Sequence, residues 1–176
     1  LEATSSYFWF VELLEPTAAE VVLANPAKMR VIAESTRKTD KLDARVLAEF
    51  LARGMIPRAS MPTPRQRQHR ALVRHRKYLR EQGTSVKCKI RHVLADSNAD
   101  RRDLFSAGCG KAYLKTLKLN EVDRFRLADL WKAWEAIEGR LKKTAAKIKA
   151  FAGKAPRAEA EVRELVKTAP GVGTVT

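Results

Sequence analysis

The sequence predicts an α/β segment over residues 1–60, followed by an all-α region of long helices over residues 63–165 that reads as a coiled coil. Three observations predict this. A β-branched run, Val21-Val22-Leu23-Ala24, lies among helical patterns in the first part. Pro57, Pro62 and Pro64 interrupt the chain near residue 60. Beyond them, apolar residues recur every seven positions through two long stretches.

The elements follow in order. Tyr7–Leu14 is apolar and aromatic, with Phe10, Leu13 and Leu14 at helical spacing. Val21–Ala24 reads as a buried strand closed by the turn signal Asn25-Pro26. Residues 26–33 form a short helix with Pro26 in its first turn, where a missing N–H costs nothing. A stronger helix follows Thr39, a capping residue. Asp40 in its first turn suits the helix dipole, and Gly54 ends it. Its apolar stripe is Leu42, Val46, Leu47, Phe50 and Leu51.

From Arg65, Leu72, Leu79, Val86 and Val93 mark one narrow seam on a long helix that Gly83 weakens. Residues 96–110 are polar and glycine-bearing and read as a turn region. A second long helix spans about Glu121–Phe151. Leu127, Trp134, Leu141 and Ile148 hold one heptad position, and Leu130, Ile137, Thr144 and Phe151 hold the other. A seam this narrow favours a coiled coil or long hairpin, and self-association through it is expected. Residues 158–167 form a last short helix. Pro170-Gly171-Val172-Gly173 is a turn that could open a helix towards a phosphate.

Charge bounds the function. The 176 residues hold 35 Lys and Arg against 20 Asp and Glu, a net of +15. Such an excess repels itself in the compact state, and nucleic-acid phosphate is the commonest partner that relieves it. An acidic protein or an anionic membrane surface are the other classes. No apolar run approaches the ~20 residues of a membrane span. Cys88 and Cys109 have no metal-like spacing and fit free thiols in a reducing cytoplasm. No signal-peptide pattern is present, and the ends read as cut from a longer chain.

Two constellations carry possible chemistry. Asp40 and Asp43 stand at i and i+3 and project from one helix face. Such a pair can hold a hard cation such as magnesium, and Glu2, at the end of a neighbouring strand, would complete a usable site. Asp-x-x-Asp near a helix start is also common as plain dipole compensation. The second constellation is the basic helix after the prolines. Arg65, Arg67, Arg70, Arg74, Arg76, Lys77, Arg80, Lys87, Lys89 and Arg91 face one acid, Glu81. A merely solvated helix mixes both signs, so phosphate contact is the better reading. Arg37, Lys38, Arg45, Arg53 and Arg58 extend the positive field towards the carboxylates.

Taken together these segments resemble the DEDD transposases, the insertion-sequence recombinases related to the Piv invertase and known as bridge-RNA-guided enzymes. The resemblance lies in Leu1-Glu2-Ala3-Thr4, then Ala24-Asn25-Pro26, then Arg37-Lys38-Thr39-Asp40-Lys41-Leu42-Asp43-Ala44 with Leu47-Ala48. Pro62, Leu72-Val73-Arg74-His75-Arg76 and Ala169-Pro170-Gly171-Val172-Gly173 follow in the same order.

The resemblance implies that residues 1–60 are the later part of a ribonuclease-H-like (RuvC-like) domain. It implies that 63–165 are a coiled-coil insertion and that 166–176 begin a C-terminal transposase domain. It implies catalytic, magnesium-binding roles for Glu2, Asp40 and Asp43, with a first Asp upstream of Leu1 and a nucleophilic serine beyond Thr176. It also implies DNA and a guide RNA as partners, and a homo-oligomer joined by the coiled coil. On that view this piece alone is inactive. Two departures stand out: Ser5 follows Glu-Ala-Thr where the family usually has Gly, and Gly83 lies inside the long helix. The alternative to a recombinase is a non-enzymatic basic helical module for nucleic-acid binding or dimerisation, and beside both stands a partner of an acidic protein.

Overall fold

The computed structural model describes residues 1–3, 6–32, 40–106 and 109–170, the side chains of residues 30–32 and 40–43 excepted. Thr39, Lys38, Ser5 and the turn residues from Gly171 onward lie outside the described residues. The chain divides into two compact units, Leu1–Thr63 and Pro64–Thr176, at the proline-rich boundary that the sequence marks.

The first unit holds helices α1 (Phe8–Leu14), α2 (Pro26–Ile32) and α3 (Asp40–Ala52). Val11, Val22, Leu23, Ala24, Met29 and Pro62 are its buried residues among those described. The expected strand at Val21–Ala24 is not realised as one. Ala24 makes an isolated parallel bridge to Glu2 and an antiparallel one to Arg58. The pairing rests on four bonds: Ala3 N–H to Ala24 O (3.0 Å), Ala24 N–H to Leu1 O (2.6 Å), Asn25 N–H to Pro57 O (2.9 Å) and Ala59 N–H to Leu23 O (2.7 Å). Pro26 and Pro57 lack the N–H groups that would extend a ladder, which keeps it one residue long. No sheet is present among the described residues, and the α/β expectation is met only by these bridges.

Local chemistry sets the helix ends. The Asn25 side chain accepts from Ala27 N–H (3.1 Å) and Lys28 N–H (3.3 Å), capping α2 ahead of Pro26. Gly54 ends α3 at φ 64°. Its N–H reaches Leu51 O, and Met55 N–H reaches Phe50 O, the paired bonds of a Schellman closure.

The second unit is a long hairpin. Helix α4 (Pro64–Ala95) packs against α6 (Glu121–Gly153), with α5 (Cys109–Thr116) at the closed end and α7 (Arg157–Lys167) after α6. The start of α4 meets the end of α6, since His69 stacks on Phe151 at 5.8 Å and Lys87 approaches Glu138 at 3.6 Å. The two helices are therefore antiparallel. All eight predicted heptad residues of α6 are buried or half-buried, as are Leu72, Leu79, Val86 and Val93 of α4. The seam that was expected to join two copies is filled within one chain.

Gly83 does not break α4. It is buried, and a Cβ built there would lie 3.4 Å from Ile137 Cγ2. The glycine marks a close approach of the two helices, which explains its place in a long helix.

The closed end holds the largest apolar cluster: Ile90, Val93, Leu94, Ala99, Leu104, Leu127 and Trp131. Residues 96–106, read as a polar turn, supply Ala99 and Leu104 to it. Tyr113 donates its hydroxyl to Ala99 O at 2.8 Å. Helix α5 was not expected, and Gly110 within it sits against Leu104 O and Trp131. Asn120 caps α6 through Asp123 N–H (2.8 Å), with Glu121 and Asp123 in the first turn.

Three glycine substitutions separate these roles. Gly83→Leu would force α4 from Ile137, and Gly110→Ala would meet backbone; each should cost about 1–3 kcal/mol or more. Gly139→Ala, with open space around it, should stabilise by about 0.8–1.0 kcal/mol. Denaturant unfolding of the three variants checks the order; a stabilised Gly83→Leu would contradict the close approach.

Candidate nucleic-acid interface

The charge is divided unequally. Residues 1–63 carry eight Lys and Arg against eight Asp and Glu, and residues 64–176 carry twenty-seven against twelve. The whole excess of +15 therefore belongs to the second unit, and the unit bearing the candidate carboxylates is neutral.

Helix α4 supplies ten of those cations, and the structure sorts them. Arg70, Arg74, Arg80 and Lys89 are exposed, with no acidic partner among the described residues. Lys77 faces Glu81 at 3.8 Å, an exposed i,i+4 pair of little strength. Arg67 and Arg76 are half-buried. The others are structural ties. Arg65 donates to Glu159 (2.7 Å) and Phe151 O (2.9 Å) and lies 4.4 Å over the Phe151 ring. Arg91 bonds Asp100 at 3.2 Å and Arg102 O at 3.4 Å. Lys87 lies between Glu138 and the rings of Phe105 and Trp134. Lys87 and Arg91, read as phosphate ligands, thus hold the closed end of the hairpin together.

Midway along the hairpin a groove of about 490 Å³ opens between the long helices. Arg76, Arg80, Thr84 and Lys87 line it from α4, and Lys142 from α6; Gly83 leaves its floor without a side chain. Its carboxylate, Glu138, accepts from Trp134 Nε1 (3.1 Å) and faces Lys87, and among the described residues no ion pair ties it to Arg80 or Lys142. Cations from two helices over an open floor suit a phosphodiester backbone. Lys142 escapes the sequence reading because α6 mixes both signs. Its place beside the heptad residue Leu141 is the signal that could have found it.

In the first unit, Asp40 and Asp43 stand in the opening turn of α3, one turn apart, with their side chains outside the described residues. Glu2 is exposed on the bridged segment. Leu1 shares a cavity of about 190 Å³ with Leu47, Ala48 and Leu51, so the segment carrying Glu2 lies beside α3, one turn beyond Asp43. Three carboxylates of hard-oxygen chemistry thus belong to adjacent segments of one unit. Among the described residues no group of three metal-ligating side chains is assembled. Arg45, read as a phosphate contact, is exposed and forms an i,i+4 pair with Glu49 at 2.9 Å, a weak tie. Arg58 pairs with Glu20 at 2.6 Å. No described helix is long and apolar enough to cross a membrane.

The model of the DEDD_Tnp_IS110 family, described as a transposase, matches residues 1–98, the first unit together with α4. No curated protein and no solved structure matches.

The sorting of cations is testable by titrating a fluorescent duplex with the full chain. Arg80→Glu with Lys142→Glu should weaken binding and lower the slope of log affinity against log salt by about two, at unchanged melting temperature. Arg91→Ala should lower the melting temperature instead. Equal binding losses from both variants would undo the distinction.

Proposed function

The chain belongs to the DEDD transposases of the IS110 type, and on that premise we propose that it serves DNA strand cleavage and exchange, its neutral unit facing the reacting phosphate and its basic hairpin gripping the nucleic acid. The observation that carries this reading is the partition of charge. A hairpin holding all of a +15 excess has the electrostatic footprint of a polyanion-binding surface.

In this reading Glu2, Asp40 and Asp43 hold a divalent cation, magnesium, within a ribonuclease-H-like architecture. The chemistry of the donor set supports the assignment: three carboxylates, two of them one helical turn apart, are the ligands a hard cation takes. A cation bound there supplies charge neutralisation at a transferring phosphate. The protein's own part is to position the strand. Arg70, Arg74, Arg80 and Lys142 bear on the backbone without reading bases, which suits both DNA and a folded guide RNA. The setting for such work is the cytoplasm, at the nucleoid. A non-enzymatic nucleic-acid-binding module would need the hairpin but not the carboxylates, and metal binding separates the two.

Affinity for DNA and RNA should fall steeply with salt. Charge reversal at Arg70, Arg74 and Arg80 should weaken it. A shallow salt dependence would sink the nucleic-acid reading. Calorimetry with magnesium on the full chain should give a heat that Asp40→Ala with Asp43→Ala removes. An unchanged heat would rule out the carboxylate assignment and leave the binding module.

A further inference from the structure

Two surfaces of the second unit have no partner among the described residues. The first is α7. Ala158, Val162, Leu165 and Val166 recur at i, i+4, i+7 and i+8 and share one face. Val162, Leu165 and Val166 are 60%, 70% and 50% exposed. The helix is tied down by its charged side instead: Arg163 donates to Ala152 O at 2.7 Å, and Glu159 accepts from Arg65. It turns ionic groups towards its own unit and aliphatic ones towards water, the reverse of a helix that has found its final contact.

The second surface is a groove of about 270 Å³ between α5 and α6. Leu114, Leu119, Leu127 and Trp131 make its apolar wall, and Lys111, Lys115, Arg124 and Lys132 stand around it. Lys111 is held by Glu135 at 3.1 Å, and Glu135 also accepts from Trp131 Nε1 at 3.0 Å. These two donors keep the Glu135 carboxyl below its ordinary range, so it stays ionised and occupied. Lys115 and Lys132 have no acidic partner among the described residues.

We propose that α7 of one copy docks in the α5–α6 groove of a second copy, and that the two copies make this contact reciprocally. The surfaces are complementary in kind. The groove wall is aliphatic and aromatic and offers little to the polar edge of a base, so Val162, Leu165 and Val166 fit it better than a nucleotide does. Glu161 and Glu164 lie along one edge of α7, where they would meet the free ammonium groups of the rim. Glu161 has Arg157 in an exposed i,i+4 pair, and Glu164 has the half-buried Lys167 at 2.7 Å with Arg163 at 3.9 Å; surface pairs of this kind hold them only weakly.

The occupant comes from another copy because of α6. Trp131 and Gly153 stand on one unbroken helix, so groove and α7 lie about 33 Å apart along it at 1.5 Å per residue. A chain cannot fill its own groove while α6 stays intact. Two hairpins side by side and antiparallel bring each α7 to the other's groove, a closed two-fold arrangement. One eleven-residue helix buries too little against the ~1,200–2,000 Å² of a stable interface, so the two contacts stand or fall together. This association leaves the α4–α6 seam untouched and does not rest on the nucleic-acid reading.

Sedimentation equilibrium of the full chain, free of nucleic acid, tests it. A dimer should form in the micromolar range. Val162→Glu with Leu165→Glu, both at exposed sites, should weaken it at least about tenfold at unchanged melting temperature. Lys115→Glu with Lys132→Glu should do the same, and adding Glu161→Lys with Glu164→Lys to that variant should restore association. A chain that stays monomeric at high micromolar concentration, a dimer indifferent to both pairs, a failed charge swap, or association seen only with nucleic acid would each overturn the proposal.

Discussion

Most of the second unit depends on the packing of α4 against α6. Helix α4 carries ten cations and one acid over 32 residues, and as an isolated helix it would repel itself along its whole length. It gains stability by burying one narrow stripe, Leu72, Leu79, Ile90 and Val93 with Gly83 between, against the heptad face of α6. The glycine brings the backbones close where the stripe would otherwise be thinnest. The cluster around Trp131 then fixes the closed end, and Arg65 with Glu159 and Phe151 fixes the open one. Several cations that look like ligands in the sequence are consumed in this work.

What was legible in the sequence follows from the reach of each signal. Helices α1, α3, α4 and α6 announce themselves by periodicity and α2 by its proline, and Gly54 ends α3 through backbone freedom alone. The Val21–Ala24 run was misread because strand propensity says nothing about neighbours. Its partners are single residues at positions 2 and 58, and prolines on two of the segments stop the ladder. Helix α5 and the buried Leu104 were hidden by polar composition. Two apolar anchors in a run of eleven residues leave no period to read, yet Ala99 and Leu104 complete the cluster.

The candidate site was legible to the same degree. Charge density on α4 pointed to the basic surface, but not to which cations face outward. That is decided by acids on other segments: Glu138 and Asp100 occupy Lys87 and Arg91, while among the described residues none reaches Arg70, Arg74, Arg80 or Lys89. Lys142 enters the groove only through the pairing of α4 with α6, a long-range fact. For the carboxylates, the spacing of Asp40 and Asp43 holds in the opening turn of α3, and the bridge at Glu2 places its segment in the same unit. The neutrality of that unit lies in residues 1–60 themselves, which hold eight charges of each sign inside the boundary that the prolines mark.

The unbroken run of α4 also sets a length. From Arg70 to Lys89, the outermost of its exposed cations without an acidic partner among the described residues, the helix advances about 28 Å at 1.5 Å per residue. A rigid cationic edge of that length works as a ruler. A hinge at Gly83 would have lost that measure; a glycine locked beneath Ile137 keeps it.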